Sequence, residues 1–555
     1  MTRATRGKGR PYLAPLGSNA VPPRALRRPC LRLLAVVLSV LLAAGCGHGE
    51  GEPPRSAAPP HSLNPDVVQT ATGTVRGVVA EDHRLFAGIP YAAPPIGPLR
   101  WQPPAPPPAW LGVRDATRPG PRCLQDPGGD PEFGRQTDED CLSLNVWTPP
   151  VDASDGEKLP VMVWIHGGAF INGSAATYDA RWLASRGDMV VVTVNYRLGA
   201  MGFLAHPALG PAGDVGNYGL ADQQAALRWV RDNVANFGGD PTKVTLAGES
   251  AGGMSVCDHL VAPESAGLFR AAIIQSAPCQ AQLALPDAEK SSLDYAARLG
   301  CSDPQSAAQC LRALPADKLR EPVWYFKIGA DSLSGPVTGT KRLPVDPAAA
   351  VADGHAARVP VLIGTNRDEF TLFVALQYLR LGREYTAEHY PQLLAETFGA
   401  NAARVEAQYP LQRYGSVPLA YSAAVTDGVF ACVADRMAIE MAQTESVYAY
   451  EFNDRDAPMP EPMRKLPFPV GASHSLELRY LFDVGGASPL NATQQQLSDQ
   501  MIDYWAHFVR TTEPGPQWPA FGPDEKRLSF QGDGSTVNTD FNETHQCAFW
   551  AGLKG

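Results

Sequence analysis

Val244-Thr245-Leu246-Ala247-Gly248-Glu249-Ser250-Ala251-Gly252 is the stretch on which the fold turns. It opens as a short apolar run, the mark of a buried parallel strand. It closes with glycines two places either side of a serine, and Gly253 to Leu260 can begin a helix. A strand that reverses into a helix at Gly-x-Ser-x-Gly is a nucleophile elbow. The bend strains the serine backbone, and side chains at the flanking positions would collide, so glycine stands there. The hydroxyl is lifted above the sheet at a helix N-terminus, whose positive end favours developing negative charge. The five-residue pattern is short, and a plain Gly-Ser turn is its bland alternative; the strand in front favours the elbow.

Further strands are expected at Val161–Ile165, Val190–Val194, Ala271–Ile274 and Val359–Ile363, each a compact apolar run. Between the second of these and Val244, Ala225, Leu227, Trp229 and Val230 form a helical stripe within Asp222–Val234. Strands alternating with helices predict an α/β fold, a large mostly parallel sheet covered on both faces. Residues 285–345 and 370–470 read as helical excursions that roof a pocket. Alternation over Gly73–Val79 predicts an edge hairpin, and the prolines of 90–108 predict an extended surface segment.

A serine hydroxyl is a weak nucleophile at neutral pH and needs a base oriented by an acid. In α/β-hydrolases these follow in the order Ser, Asp/Glu, His. After the strand ending at Ile363 comes Gly364-Thr365-Asn366-Arg367-Asp368-Glu369, where either Asp368 or Glu369 could be the acid. Four histidines come later, His389, His474, His507 and His545. His507 falls in an amphipathic helical stretch and His545 close to Cys547; His474, in Gly471-Ala472-Ser473-His474-Ser475, sits in a loop of small residues open to substrate. An oxyanion needs backbone N–H donors, one from Ala251 and others from a glycine-rich turn after an earlier strand. His166-Gly167-Gly168-Ala169-Phe170 is that turn.

Composition narrows the setting. With 44% hydrophobic and 19% charged residues, the 555-residue chain has material for a large globular core. Residues 1–45 carry eight basic and no acidic residues; without them 39 basic residues face 57 acidic, a net charge of −18. Nucleic-acid binding is therefore not expected. The apolar run Leu33–Ala44 is too short to span a bilayer but suits a signal peptide over 1–45, followed by a Gly/Pro/Ser-rich flexible tether over 46–65 and a catalytic domain over 66–555. Ala43-Ala44-Gly45-Cys46 resembles a bacterial lipobox, with Leu42 one place earlier than the usual leucine. Lipidation of Cys46 would anchor the exported chain to a membrane, facing the periplasm or the exterior. It would also account for the odd thiol left once the other eight mature cysteines pair in an oxidising compartment.

Phe86-Ala87-Gly88-Ile89-Pro90-Tyr91-Ala92, Glu139-Asp140-Cys141-Leu142-Ser143-Leu144-Asn145-Val146, Asn195-Tyr196-Arg197-Leu198-Gly199 and Asn236-Phe237-Gly238-Gly239-Asp240-Pro241 stand in order along the chain. Together with the elbow they closely resemble the type-B carboxylesterase/lipase family, which includes bacterial para-nitrobenzyl esterases and the cholinesterases. The resemblance runs from about residue 66 to the end. It implies the α/β-hydrolase fold with helical insertions over a gorge, and hydrolysis of small-molecule carboxylic esters. It implies Ser250, Glu369 and His474 as the triad and Gly168, Ala169 and Ala251 as the oxyanion donors. Glu249, Ser276 and Glu477 match positions of a polar shell behind the triad. It also implies disulfides Cys123–Cys141, Cys301–Cys310 and Cys432–Cys547, which leaves Cys257 and Cys279 for each other. No cofactor is required, and histidine and cysteine are too scattered for a metal site.

Departures from the family narrow the expectation. The loop Leu124–Asp140 has no tryptophan, and Phe133 is its only aromatic residue, so the cation–π cradle of cholinesterases is missing. No long apolar lid marks a long-chain lipase. Ala169 stands where some relatives have glycine. Adhesion proteins of the family share the fold without the serine, whereas all three triad residue types are present here. Amides, carbamates and thioesters remain rival bonds for the same nucleophile.

Overall fold

The computed structural model describes residues 64–126, 136–150, 157–328, 331–383 and 385–553. The expected leader, the tether up to residue 63, Cys46 and Phe133 lie outside these. The central sheet contains β1 (Val78–Val79), β2 (Arg84–Pro90), β3 (Ser143–Thr148), β4 (Leu159–Ile165), β5 (Val190–Val194), β6 (Gly239–Glu249), β7 (Ala271–Gln275), β8 (Val361–Asn366), β9 (Val447–Phe452), β10 (Arg527–Phe530) and β11 (Thr536–Asn538). Their order across the sheet is β11-β10-β9-β8-β7-β6-β4-β5-β3-β2-β1. From β10 to β5 all neighbours run parallel, and antiparallel pairs finish both edges. The elbow strand β6 thus occupies the middle of the sheet, its ladder completed by partners on both sides.

Both faces are buried because side chains alternate along each strand. In β4, Val161, Val163 and Ile165 enter one core, while Met162 and Trp164 enter the other. Against the first face pack α1 (Tyr218–Asn233) and α2 (Ala251–Val261), with Leu227, Val230 and Val256 in that core. A third core, with Phe370, Leu394 and Tyr421, lies under the excursion that includes α3 (Thr371–Leu381). Against the second face lies α4 (Ala492–Thr511), which starts at a capping box between Asn491 and Gln494 and buries Trp505 and Phe508.

Three sequence expectations need correction. The span 370–470 is not wholly helical, because β9 is a central strand with all six residues buried. Its Glu451 is buried in company, against His545 Nε2 at 2.8 Å and Arg367 Nη1 at 3.2 Å. The span 285–345 mixes helices Leu285–Arg298 and Ala307–Ala313 with an antiparallel pair, Phe326–Ile328 against Asp331–Leu333. The predicted hairpin at Gly73–Val79 divides: Gly73–Arg76 pairs with Val67–Thr70 in a small separate sheet, and Val78–Val79 crosses to the edge of the main one. Four disulfides form: Cys123–Cys141, Cys257–Cys279, Cys301–Cys310 and Cys432–Cys547. The second ties α2 to the segment that follows β7.

Candidate active site

Ser250 sits between β6 and α2 at φ 57°, ψ −123°, a conformation that costs a non-glycine residue energy unless its surroundings impose it. The surroundings do. A Cβ on Gly252 would lie 2.0 Å from the Ile165 carbonyl oxygen, and one on Gly248 would lie 2.4 Å from the Gly252 backbone. The Ser250 N–H donates to the Gln275 carbonyl at 2.9 Å, and its own carbonyl accepts from Met254 N at 2.8 Å. Backbone against backbone fixes where the hydroxyl stands.

The loop after Val470 brings His474 to the same place. Its Nδ1 lies 2.6 Å from Glu369 Oε2, and both side chains are buried. The other Glu369 oxygen accepts from Thr365 Oγ1 and Asn366 N, each at 2.7 Å. Asp368, the alternative acid, faces elsewhere: it accepts from Nε and Nη2 of Arg455 and from Ala472 N at 3.0 Å. It fastens the loop that carries His474. Burial alone would raise the Glu369 carboxyl, but His474 and the hydrogen bonds hold it below the usual value. Burial alone would lower the imidazole, but Glu249 and Glu369 raise it, to about 9.

Glu249 Oε1 lies 3.2 Å from His474 Nε2 and accepts from Ser475 Oγ at 2.6 Å. Glu477 Oε2 accepts from Asn366 Nδ2 at 2.6 Å, and Oε1 from Gln275 Nε2 at 3.3 Å. Burial, with Glu249 and Glu369 nearby, pushes the Glu477 carboxyl up to about 8, and burial likewise raises Glu249. Ser276, at φ 51°, donates its N–H to the Gly364 carbonyl at 2.8 Å. Its hydroxyl is beside Glu369 without meeting hydrogen-bond geometry.

The glycine turn follows β4. A Cβ on Gly168, at φ 108°, would meet Asn172 at 2.3 Å, and Ala169 and Phe170 also hold positive φ. The turn is braced from beneath: Tyr196 OH donates to the His166 carbonyl at 2.8 Å, and the two rings stack at 4.4 Å. Asn195 accepts from Ala175 N and donates to the Pro121 carbonyl, while Arg197 is paired to Asp222 in the buried interior. Of the sequence landmark Asn195-Tyr196-Arg197, Tyr196 thus braces the turn itself, while Asn195 and Arg197 fasten neighbouring segments.

Gly168, Ala169, Ser250, Ala251, Glu249 and His474 all line one cavity of about 620 Å³. Much of its remaining wall is apolar, including Phe373 and Phe430, whose rings lie 5.1 and 5.5 Å from that of His474. Sequence reading missed these two, and also Gln275 and Asn366, which serve the carboxylates. Asn366 had a signal, its place at the end of a strand before the acidic pair. Phe430 had none, since it is presented by a π-helical turn, Thr426–Ala431, far along the chain. Of the other late histidines, His507 is exposed on α4, His389 contacts Thr386, and His545 lies between Asp427 and Glu451. Among the described residues no group of three or more His, Cys, Asp or Glu is placed to hold a metal ion.

Comparison with known proteins agrees with this architecture. A sequence profile described as the carboxylesterase family matches residues 64–550. A human cocaine esterase is 34% identical over 540 residues, covering 91% of this chain and 92% of its own. A para-nitrobenzyl esterase of Bacillus subtilis (strain 168) is 34% identical over 500 residues, covering 85% of this chain and 96% of its own. The solved structure of a thermophilic PNB esterase superposes with a TM-score of 0.75 at 30% identity, covering 88% of this chain and all of that one. A sheet of this order, an elbow at its centre and relatedness over nearly the whole described chain lead to one assignment: the chain belongs to the carboxylesterase family and is a carboxylic-ester hydrolase of the α/β-hydrolase fold.

Proposed function

We propose that this hydrolase works through an acyl-enzyme on Ser250, with His474 as general base and Glu369 as the acid that orients it. The observation that carries this reading is the 2.6 Å contact of His474 Nδ1 with the buried Glu369 Oε2, His474 and Ser250 both lining one cavity. His474 takes the hydroxyl proton on Nε2 as Ser250 Oγ attacks the ester carbonyl. The oxyanion is held by the N–H groups of Gly168, Ala169 and Ala251, each worth about 3 kcal/mol of barrier. His474 then passes its proton to the leaving alcohol, and afterwards deprotonates the water that releases the acid. Glu369 stabilises the imidazolium during both steps. Glu249, Ser276 and Glu477 form the polar surroundings that keep ring and acid in place.

Labelling with a fluorophosphonate, together with hydrolysis of p-nitrophenyl butyrate, tests the reading. Wild type labels and turns over ester, and Ser250→Ala does neither while keeping its melting temperature. A Ser250→Ala protein that still labels removes the assignment. Turnover of matched anilides in preference to the ester would change the bond rather than the nucleophile.

The reading extends to export. Four disulfides suit an oxidising compartment, and Cys46 would carry a lipid at the mature N-terminus. Incorporation of labelled palmitate into wild type and its absence in Cys46→Ser is the expected result; equal incorporation refutes it.

A further inference from the structure

Helix α3 begins two residues after Glu369, and its Phe373 packs beside the His474 ring. It runs outward from there. Leu372, Leu376 and Leu379 all line the catalytic cavity. At about 100° per residue these three fall within a stripe roughly 60° wide, one continuous apolar track. Leu379 is 42% exposed and Leu381, at the helix end, 75%, so the track starts beside the imidazole and finishes at the surface. Ile328, Leu333 and Met463 supply further apolar wall. The outer end is charged: Arg380 lines the cavity with Asp331, whose carboxyl feels Arg380 and Arg383.

Resting on the acyl-enzyme reading above, we infer that this stripe binds the alcohol side of the ester, and that the preferred alcohol is an unbranched aliphatic chain of about eight carbons. The side follows from chemistry. The leaving oxygen must receive its proton from the imidazole, so the alcohol departs past His474, where α3 starts. The length follows from geometry. Seven residues at about 1.5 Å each separate Leu372 from Leu379 by roughly 10 Å. An extended chain advances roughly 1.2 Å per bond, so about eight bonds fill the track. Each methylene buried on the stripe raises kcat/KM roughly fourfold at most. Beyond Leu379 a longer chain meets solvent, Arg380 and Asp331 and gains nothing.

The test is a series of n-alkyl butyrates from ethyl to decyl, followed by proton release. Every member forms the same butyryl-enzyme, so differences in kcat/KM report the alcohol alone. For wild type we expect a rise of at least tenfold from ethyl to about octyl, then a plateau or fall. Leu376→Trp fills the track midway and moves the break inward to about butyl; Leu379→Trp moves it less far. A wild-type profile flat in alcohol length overturns the inference. So does chain-length selectivity confined to a p-nitrophenyl acyl series, or a parallel loss across all alkyl esters in both variants. Failure of the underlying mechanism looks different: Ser250→Ala would hydrolyse the whole series as wild type does.

Discussion

Glu249 Oε1 stands 3.2 Å from Nε2 of His474, across the ring from Glu369 Oε2 at 2.6 Å from Nδ1. Two buried carboxylates therefore compete for one imidazole, and together they raise its proton affinity, to about 9.

The pH dependence of activity follows from that arrangement. In the proposed mechanism His474 acts as a base only when neutral, and its value is raised, so the competent fraction grows as pH climbs above about 6.5 toward 9. The acid limb of kcat/KM on a soluble ester is expected in that interval. Glu249→Gln removes the carboxylate facing Nε2, which lowers the imidazole value and moves the limb to lower pH by about one unit or more. A pH–rate profile unaltered in Glu249→Gln contradicts this account.

The acidic pair Asp368-Glu369 divides its duties. Glu369→Gln leaves the imidazole with an amide that favours the wrong tautomer, and kcat is expected to fall by roughly 10³–10⁴ with KM little changed. Asp368→Asn loosens the Arg455 contact and the hold on Ala472. Its expected signature is a lower melting temperature and a much smaller loss of kcat. Steady-state kinetics beside thermal denaturation separate the two, and equal catalytic losses would refute the division.

Gly252→Ala tests the elbow. Its added methyl would sit 2.0 Å from the Ile165 carbonyl oxygen, a contact no rotamer can relieve. Overpacking of this kind costs roughly 1–3 kcal/mol or more, and displacement of Ser250 adds a catalytic loss. A folded variant with wild-type fluorophosphonate labelling rate would show the contact to be less constraining than its geometry.

His545 links stability to pH. Asp427 Oδ1 lies 2.5 Å from its Nδ1 and Glu451 Oε1 2.8 Å from its Nε2, and the pair raise the ring, against the effect of burial, to about 9. A raised folded-state value contributes stability in full below the unfolded value near 6.5, and the contribution is lost as pH rises through about 9. Urea midpoints between about pH 6 and pH 10 are expected to fall in wild type, and to fall less steeply in His545→Gln. Parallel slopes in the two proteins would remove His545 as the source.

How much could be read from the chain depended on where the determining contacts lie. The elbow was legible because strand, turn and helix are contiguous from Val244 to Leu260. His474 was legible as a small-residue loop, and the glycine turn as a strand end. The choice between Asp368 and Glu369 was not, since adjacent residues point to opposite sides and only the packed chain shows which side holds the ring. Strand β9 was hidden because Tyr448, Tyr450 and Glu451 look half-exposed in sequence. In the fold the glutamate is matched by His545, from almost one hundred residues downstream. Phe430 and the leucine stripe were illegible for the same reason, being brought to the cavity by tertiary packing alone.

The near-contact of Gly252 with the Ile165 carbonyl has a consequence for redesign. The Ser250 hydroxyl is positioned by main chain resting on main chain, with no side chain in between to be exchanged. The cavity walls proposed to choose the ester hang instead on later stretches such as 326–328, 331–333 and 371–381, built of replaceable side chains. On that reading selectivity in this scaffold can drift, or be engineered, through swaps on those walls while the elbow serine keeps its address.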